Sequence, residues 1–138
     1  MSIDQAIHEE CGVFGVIAPE GIDIANYCYY GLYALQHRGQ EGCGIVVNDD
    51  GVLVSHKDLG LVAEVFPAER LAKLPRGTMA VGHVRYGTTG GNNRNNCQPI
   101  EVNHQKGRSK AWLLRFKGSF PALLPHRQNM RLMTIRFL

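Results

Sequence analysis

The stretch Gly44-Ile45-Val46-Val47-Asn48-Asp49-Asp50-Gly51-Val52-Leu53-Val54-Ser55-His56 decides the fold class. Two apolar runs flank Asp49-Asp50-Gly51, and Asp-Gly between such runs is a strong hairpin signal. A hairpin pairs its strands antiparallel, whereas parallel strands need a long crossover. Upstream, Gly12-Val13-Phe14-Gly15-Val16-Ile17 reads as a buried strand that begins right after Cys11 and is ended by Pro19 and Gly21. Asp23 then predicts the N-cap of a helix running to about His37, with Ile24, Tyr27, Cys28, Leu32 and Leu35 as its core-facing stripe. Arg38-Gly39 would end it with a cation and a glycine. Downstream, Leu61 to Leu74 reads as one or two short helices interrupted at Pro67, and Thr78 to Val84 as a further buried strand. A polar, glycine-rich loop follows from Gly87 to Gln98. Strand, helix, hairpin, short helices, strand is a layered α+β arrangement and not a regular βαβ series.

The chain has 138 residues, 44% hydrophobic and 20% charged, enough for one domain with a core. No apolar run is long enough to span a bilayer. Met1 to Glu10 is acidic and lacks an apolar signal segment, which excludes a secretory leader and predicts a cytoplasmic protein without a membrane partner. Cys11, Cys28, Cys43 and Cys97 contain no C-x-x-C pair, so free thiols are expected rather than a zinc site. His37, His56, His83, His104 and His126 show no i, i+4 pairing, which also argues against a metal site.

Charge is divided unevenly. Residues 1–104 carry 12 acidic residues and 7 Lys/Arg, whereas residues 105–138 carry 8 Lys/Arg and no Asp or Glu. Gly39-Gln40-Glu41-Gly42-Cys43-Gly44 precedes a strand instead of following one, so it is no dinucleotide fingerprint, and no phosphate-binding P-loop pattern exists.

Four blocks carry a resemblance. Glu10-Cys11-Gly12-Val13-Phe14-Gly15 resembles the processing site and first strand of class II glutamine amidotransferases. Tyr30-Gly31-Leu32-Tyr33-Ala34-Leu35-Gln36-His37-Arg38-Gly39-Gln40-Glu41-Gly42 is similar to their next motif. Gly82-His83-Val84-Arg85-Tyr86-Gly87-Thr88-Thr89-Gly90, then Asn96-Cys97-Gln98-Pro99, is similar to a third. With Leu59-Gly60-Leu61-Val62-Ala63-Glu64-Val65-Phe66, the blocks resemble the amidophosphoribosyltransferase family over about residues 9 to 104. The resemblance implies an N-terminal-nucleophile hydrolase fold, a four-layer αββα sandwich, here incomplete. It divides the chain into a propeptide at 1–10, a partial glutamine amidotransferase domain at 11–104 and a non-homologous basic tail at 105–138.

The implied chemistry is glutamine hydrolysis to glutamate and ammonia. In the complete family enzyme the ammonia passes to 5-phosphoribosyl 1-diphosphate to give 5-phosphoribosylamine for purine synthesis. By resemblance Cys11 is the nucleophile. A thiol needs a base, and the α-amine of a leading cysteine has an unperturbed pKa of about 7.7–8.0, which suits the task. Ten residues precede Cys11, so cleavage of the Glu10–Cys11 bond is expected. Arg85 resembles the residue that grips the glutamine α-carboxylate, a role that suits a planar guanidinium fork. Tyr86 and Thr88 would line the glutamine pocket, and Arg38 and Gly39 would position the nucleophile. Without the resemblance, Arg38 reads as a cation at a helix end and Arg85 as half of a surface salt bridge. His83 would orient the Arg85 loop. The family's Mg²⁺ and the 4Fe-4S cluster of some members would lie outside these residues, and the resemblance implies that full-length relatives are homo-oligomers.

The resemblance stops near residue 105. The family's His-Asn-Gly-Asn-Leu motif, which supplies the oxyanion hole, is absent, and Phe116-Lys117-Gly118-Ser119-Phe120 stands nearest its place. The acid-free tail fits a frameshifted or truncated reading frame, with weak nucleic-acid binding as the rival. Two functions follow: a glutamine-hydrolysing enzyme segment, or a non-catalytic glutamine-binding remnant or regulatory module.

Overall fold

The computed structural model describes residues 11–19, 22–87, 91–106 and 109–115. The expected propeptide, Thr88, and the tail beyond residue 115, with Lys117, lie outside the described residues. Strand β1 spans Gly12–Ile17 and helix α1 Ile24–Ala34. Strands β2 (Gly42–Asp49) and β3 (Val52–Leu59) form the expected hairpin. Short helices α2 (Val62–Val65) and α3 (Ala68–Leu71) flank Pro67, and β4 (Met79–Arg85) follows. Strands β5 (Ile100–Lys106) and β6 (Ser109–Arg115) make a second antiparallel pair.

The first four strands form one antiparallel sheet in the order β1-β4-β2-β3. The hairpin turn is built as its residues demand. Asp50 and Gly51 both have positive φ, 46° and 83°, and the Asn48 side chain accepts from Gly51 N at 3.0 Å. Two such central residues make the turn whose twist matches the flanking strands.

Register sorts the sheet into two faces. On one face Phe14, Gly82, Ile45 and His56 lie in a row across the strands. Helix α1 packs here through Ile24, Ala25, Cys28 and Leu32, all fully buried. It comes so close because Gly82 has no side chain: a Cβ there would stand 2.7 Å from Leu32 and 2.8 Å from Cys28. Gly31 meets the Phe14 ring in the same way. Val62, Val65 and Phe66 of the α2 region complete this core.

Helix α1 begins where expected, with Asp23 Oδ1 accepting from Asn26 N at 3.2 Å. Its stripe and its end differ from expectation. Tyr27 is exposed, because it lies off the line of Ile24, Cys28, Leu32 and Leu35, which repeats at helical spacing. The α-helix stops at Ala34, and Gln36–Arg38 winds into a tighter 3-10 turn. The tightening brings the Arg38 carbonyl to the start of β1.

The opposite face of the sheet carries Val13, Ile17, Val46, Leu53, Met79 and Val81 in the same registers. Part of the expected basic tail is a strand, with 109–115 paired to 100–106. Antiparallel pairing rests on backbone hydrogen bonds exchanged at alternate residue pairs, which form whatever the side-chain pattern.

Candidate active site

Cys11 sits immediately before β1 with φ of +62°, a left-handed conformation that costs a non-glycine residue free energy. Both of its peptide groups are gripped by Arg38. Cys11 N donates to the Arg38 carbonyl at 3.0 Å, and Arg38 Nε donates to the Cys11 carbonyl at 2.7 Å. The sulfur is held from the other side by the residue after β4. Tyr86 N donates to Cys11 Sγ at 3.3 Å, and Sγ lies 3.8 Å from the Tyr86 carbonyl. Three segments far apart in sequence thus meet around one thiol.

Gly39 is what allows their approach. A Cβ on Gly39 would lie 2.6 Å from the carbonyl carbon of Arg85 and 2.8 Å from its N and O. Glu41 N donates to the Arg85 carbonyl at 3.1 Å, which ties the same two segments one step further along. The Glu41 carboxylate lies against Gly87.

Arg85, at the end of β4, is only 5% exposed, and its Nη1 donates to the Gly91 carbonyl at 3.2 Å. It is therefore not the surface residue that the bare sequence suggested. Arg38 is half-buried and directed to Cys11, so it is more than a cation at a helix end. Tyr86 is 49% exposed. The fold brings Cys11, Arg38, Gly39, Arg85 and Tyr86 together, while Thr88 lies outside the described residues.

His83 is 3% exposed, and burial together with the nearby Arg85 charge lowers its pKa to about 4. Its imidazole is neutral at pH 7. Burial pushes the Cys28 and Cys43 thiols up to about 12, and raises that of Cys97. All four cysteines are free, and Cys11 is the one that is not buried. Among the described residues no group of three or more His, Cys, Asp or Glu is placed to hold a metal ion. Among them too, no helix is long and apolar enough to cross a membrane.

Gln36 was read only as part of a motif, yet its side chain joins two parts of the site. Nε2 donates to the Gly39 carbonyl and Oε1 accepts from Val62 N, both at 2.7 Å. A polar residue at the end of an amphipathic helix was the available signal.

Fold and site together define an α+β domain that presents a strained, clasped cysteine thiol at the head of its first strand. No protein-family model matches the chain. It is 54% identical over 99 residues to the amidophosphoribosyltransferase of Mycobacterium bovis, covering 72% of this chain and 18% of that enzyme. It is 47% identical over 107 residues to that of Bacillus subtilis, covering 78% of this chain and 22% of that enzyme. Among solved structures, an allosteric regulatory enzyme of purine biosynthesis superposes with a TM-score of 0.64 at 46% identity, covering 75% of this chain and 21% of the other. The glutamine phosphoribosylpyrophosphate amidotransferase of B. subtilis complexed with ADP and GMP gives 0.61 at 44%, with the same coverage. The chain is a homologue of the amidophosphoribosyltransferases, matching their N-terminal part. It spans about a fifth of the length of these relatives, between 18% and 22%.

Proposed function

We propose that this chain carries the glutamine-hydrolysing nucleophile of an amidophosphoribosyltransferase, and that Cys11 is that nucleophile. The observation that carries the reading is the left-handed Cys11, clasped through both peptide groups by Arg38 and through sulfur by Tyr86. Strain of this kind persists only where the surroundings over-determine it, and it gathers at working sites.

The steps follow from the residues. The Cys11 thiol first attacks the Glu10 carbonyl, the peptide shifts to sulfur, and water hydrolyses the thioester. This releases residues 1–10 as a carboxylate and frees the Cys11 amine. That amine then takes the thiol proton as sulfur attacks the side-chain amide carbon of glutamine. Ammonia leaves with a proton, and water hydrolyses the second thioester to glutamate. Arg85 binds the α-carboxylate, Tyr86 and Thr88 line the pocket, and Arg38 with Gly39 fixes the nucleophile. The ammonia serves transfer to 5-phosphoribosyl 1-diphosphate by the remainder of a full-length enzyme, in the cytoplasm.

We read the fold as part of the four-layer sandwich of N-terminal-nucleophile hydrolases. In support, one face of the sheet is covered by α1 and the other carries the half-buried Val13, Ile17, Leu53, Met79 and Val81. A second sheet would cover such a face.

The test is ammonia release with intact mass on the same sample of the full chain, beside Cys11→Ala. The expected result is a mass lacking residues 1–10 and turnover abolished by the substitution. Turnover surviving in Cys11→Ala overturns the assignment. Glutamine binding without turnover supports the non-catalytic module instead.

A further inference from the structure

We infer that Gln36 is a positioning residue for the nucleophile, acting as a two-ended strut between the Arg38-Gly39 ledge and the core-anchored helix α2. The inference rests on the hydrolase reading for its catalytic consequence and on hydrogen bonds for its geometry.

The ledge is held by backbone contacts, with Arg38 N donating to the Leu35 carbonyl at 2.9 Å and Gly39 packing on the Arg85 backbone, and by the Gln36 side chain, which reaches helix α2. Arg38 is the last residue of a three-residue 3-10 turn and Gly39 follows it, and such a turn is a short and poorly bonded element. The clasp on Cys11 therefore depends on how the Gly39 peptide is held. Gln36 Nε2 donates to the Gly39 carbonyl at 2.7 Å, one peptide beyond the Arg38 carbonyl that receives Cys11 N. The other end of the amide accepts from Val62 N at 2.7 Å. Val62 is the first residue of α2 and is fully buried, with Val65 and Phe66 behind it. The strut thus ends on a fixed point.

The amide's orientation is set by its partners. A carbonyl requires a donor and a backbone N–H requires an acceptor, so only one of the two flips satisfies both. Glutamate supplies two acceptors when ionised, and its second oxygen would then face the Gly39 carbonyl. Protonated, it would restore the donor.

The experiment compares the full chain with Gln36→Leu and Gln36→Glu at matched folded fraction. Ammonia release gives kcat and KM, and iodoacetamide labelling read by mass at Cys11 gives thiol reactivity without turnover. For Gln36→Leu we expect kcat to fall about 10- to 100-fold, with KM shifted far less, because a nucleophile misplaced by about an ångström loses rate on that scale. Labelling of Cys11 changes in the same variant. For Gln36→Glu, the ratio of variant to wild-type rate recovers as pH falls toward about 5, where glutamate begins to protonate. The ratio cancels the pH dependence common to both chains.

A lowered melting temperature with kcat and Cys11 labelling unchanged overturns the inference, since that is a purely structural role. A pH-independent Gln36→Glu ratio also overturns it, and this variant decides the matter if Gln36→Leu does not fold. A wild-type chain that releases no ammonia refutes the hydrolase reading, while the labelling comparison still decides the strut.

Discussion

Replacing Gly39 with alanine inserts one methyl group between two backbone segments. Its Cβ would stand 2.6 Å from the Arg85 carbonyl carbon, whereas ordinary contact begins at 3.4 Å. The segments must part by about 0.8 Å, and the obstacle is backbone that no side-chain rotation can clear. The backbone of Gly39 is itself no obstacle, since φ is −163°, an extended value that alanine adopts freely. Two effects then compete. Gly→Ala at a compatible backbone stabilises by about 0.4–1 kcal/mol through the unfolded chain. Overpacking of a closed contact costs about 1–3 kcal/mol. The cost wins, leaving a net loss of about 1–2 kcal/mol, or several degrees in melting temperature for a domain of this size. Parting the segments also stretches the Glu41–Arg85 bond and moves the Arg38 carbonyl away from Cys11 N, so glutamine turnover should fall by up to about 100-fold. Urea unfolding and ammonia release measure the two effects. A stabilised Gly39→Ala chain with unchanged turnover would refute the close approach and the clasp built on it. Gly91→Ala is the control: its φ is +69° with nothing within 4 Å, so it should show backbone strain alone.

Three more outcomes follow from the same geometry. His83 has its folded pKa lowered to about 4 against an ordinary 6.5, so it stabilises the fold fully above pH 6.5 and loses that contribution as pH falls toward 4. The loss should be on the order of 3 kcal/mol by urea titration at pH 7.5 and 4, and a His83→Gln chain should show a flatter profile. The Cys28 and Cys43 thiols, near pKa 12, hold only about one part in 10⁴ as thiolate at pH 8, and Cys97 is fully buried, so iodoacetamide should label Cys11 alone in the native chain and all four cysteines in urea. Equal native labelling of Cys28 would contradict its burial. Asp23→Ala removes the cap of α1 and should cost about 1 kcal/mol in a thermal melt, with Asp23→Asn close to wild type.

The sequence by itself determined the local elements whose signals are short-range. Asp50-Gly51 supplies the positive φ values of the hairpin turn, Asp23 caps α1, and Pro67 separates α2 from α3, each by the chemistry of one or two residues. The motif blocks likewise marked Cys11, Arg38, Gly39, Arg85 and Tyr86 as one group. Only the tertiary structure decided that β4 enters the sheet between β1 and β2, and that Tyr27 faces outward. It also converted the last turn of α1 into a 3-10 turn and joined Gln36 to Val62, 26 positions away. The physical reason is range. A turn or a cap is settled by bonds within a few residues, whereas strand order and the Cys11 clasp are settled by which distant backbone groups can satisfy one another once the core has closed.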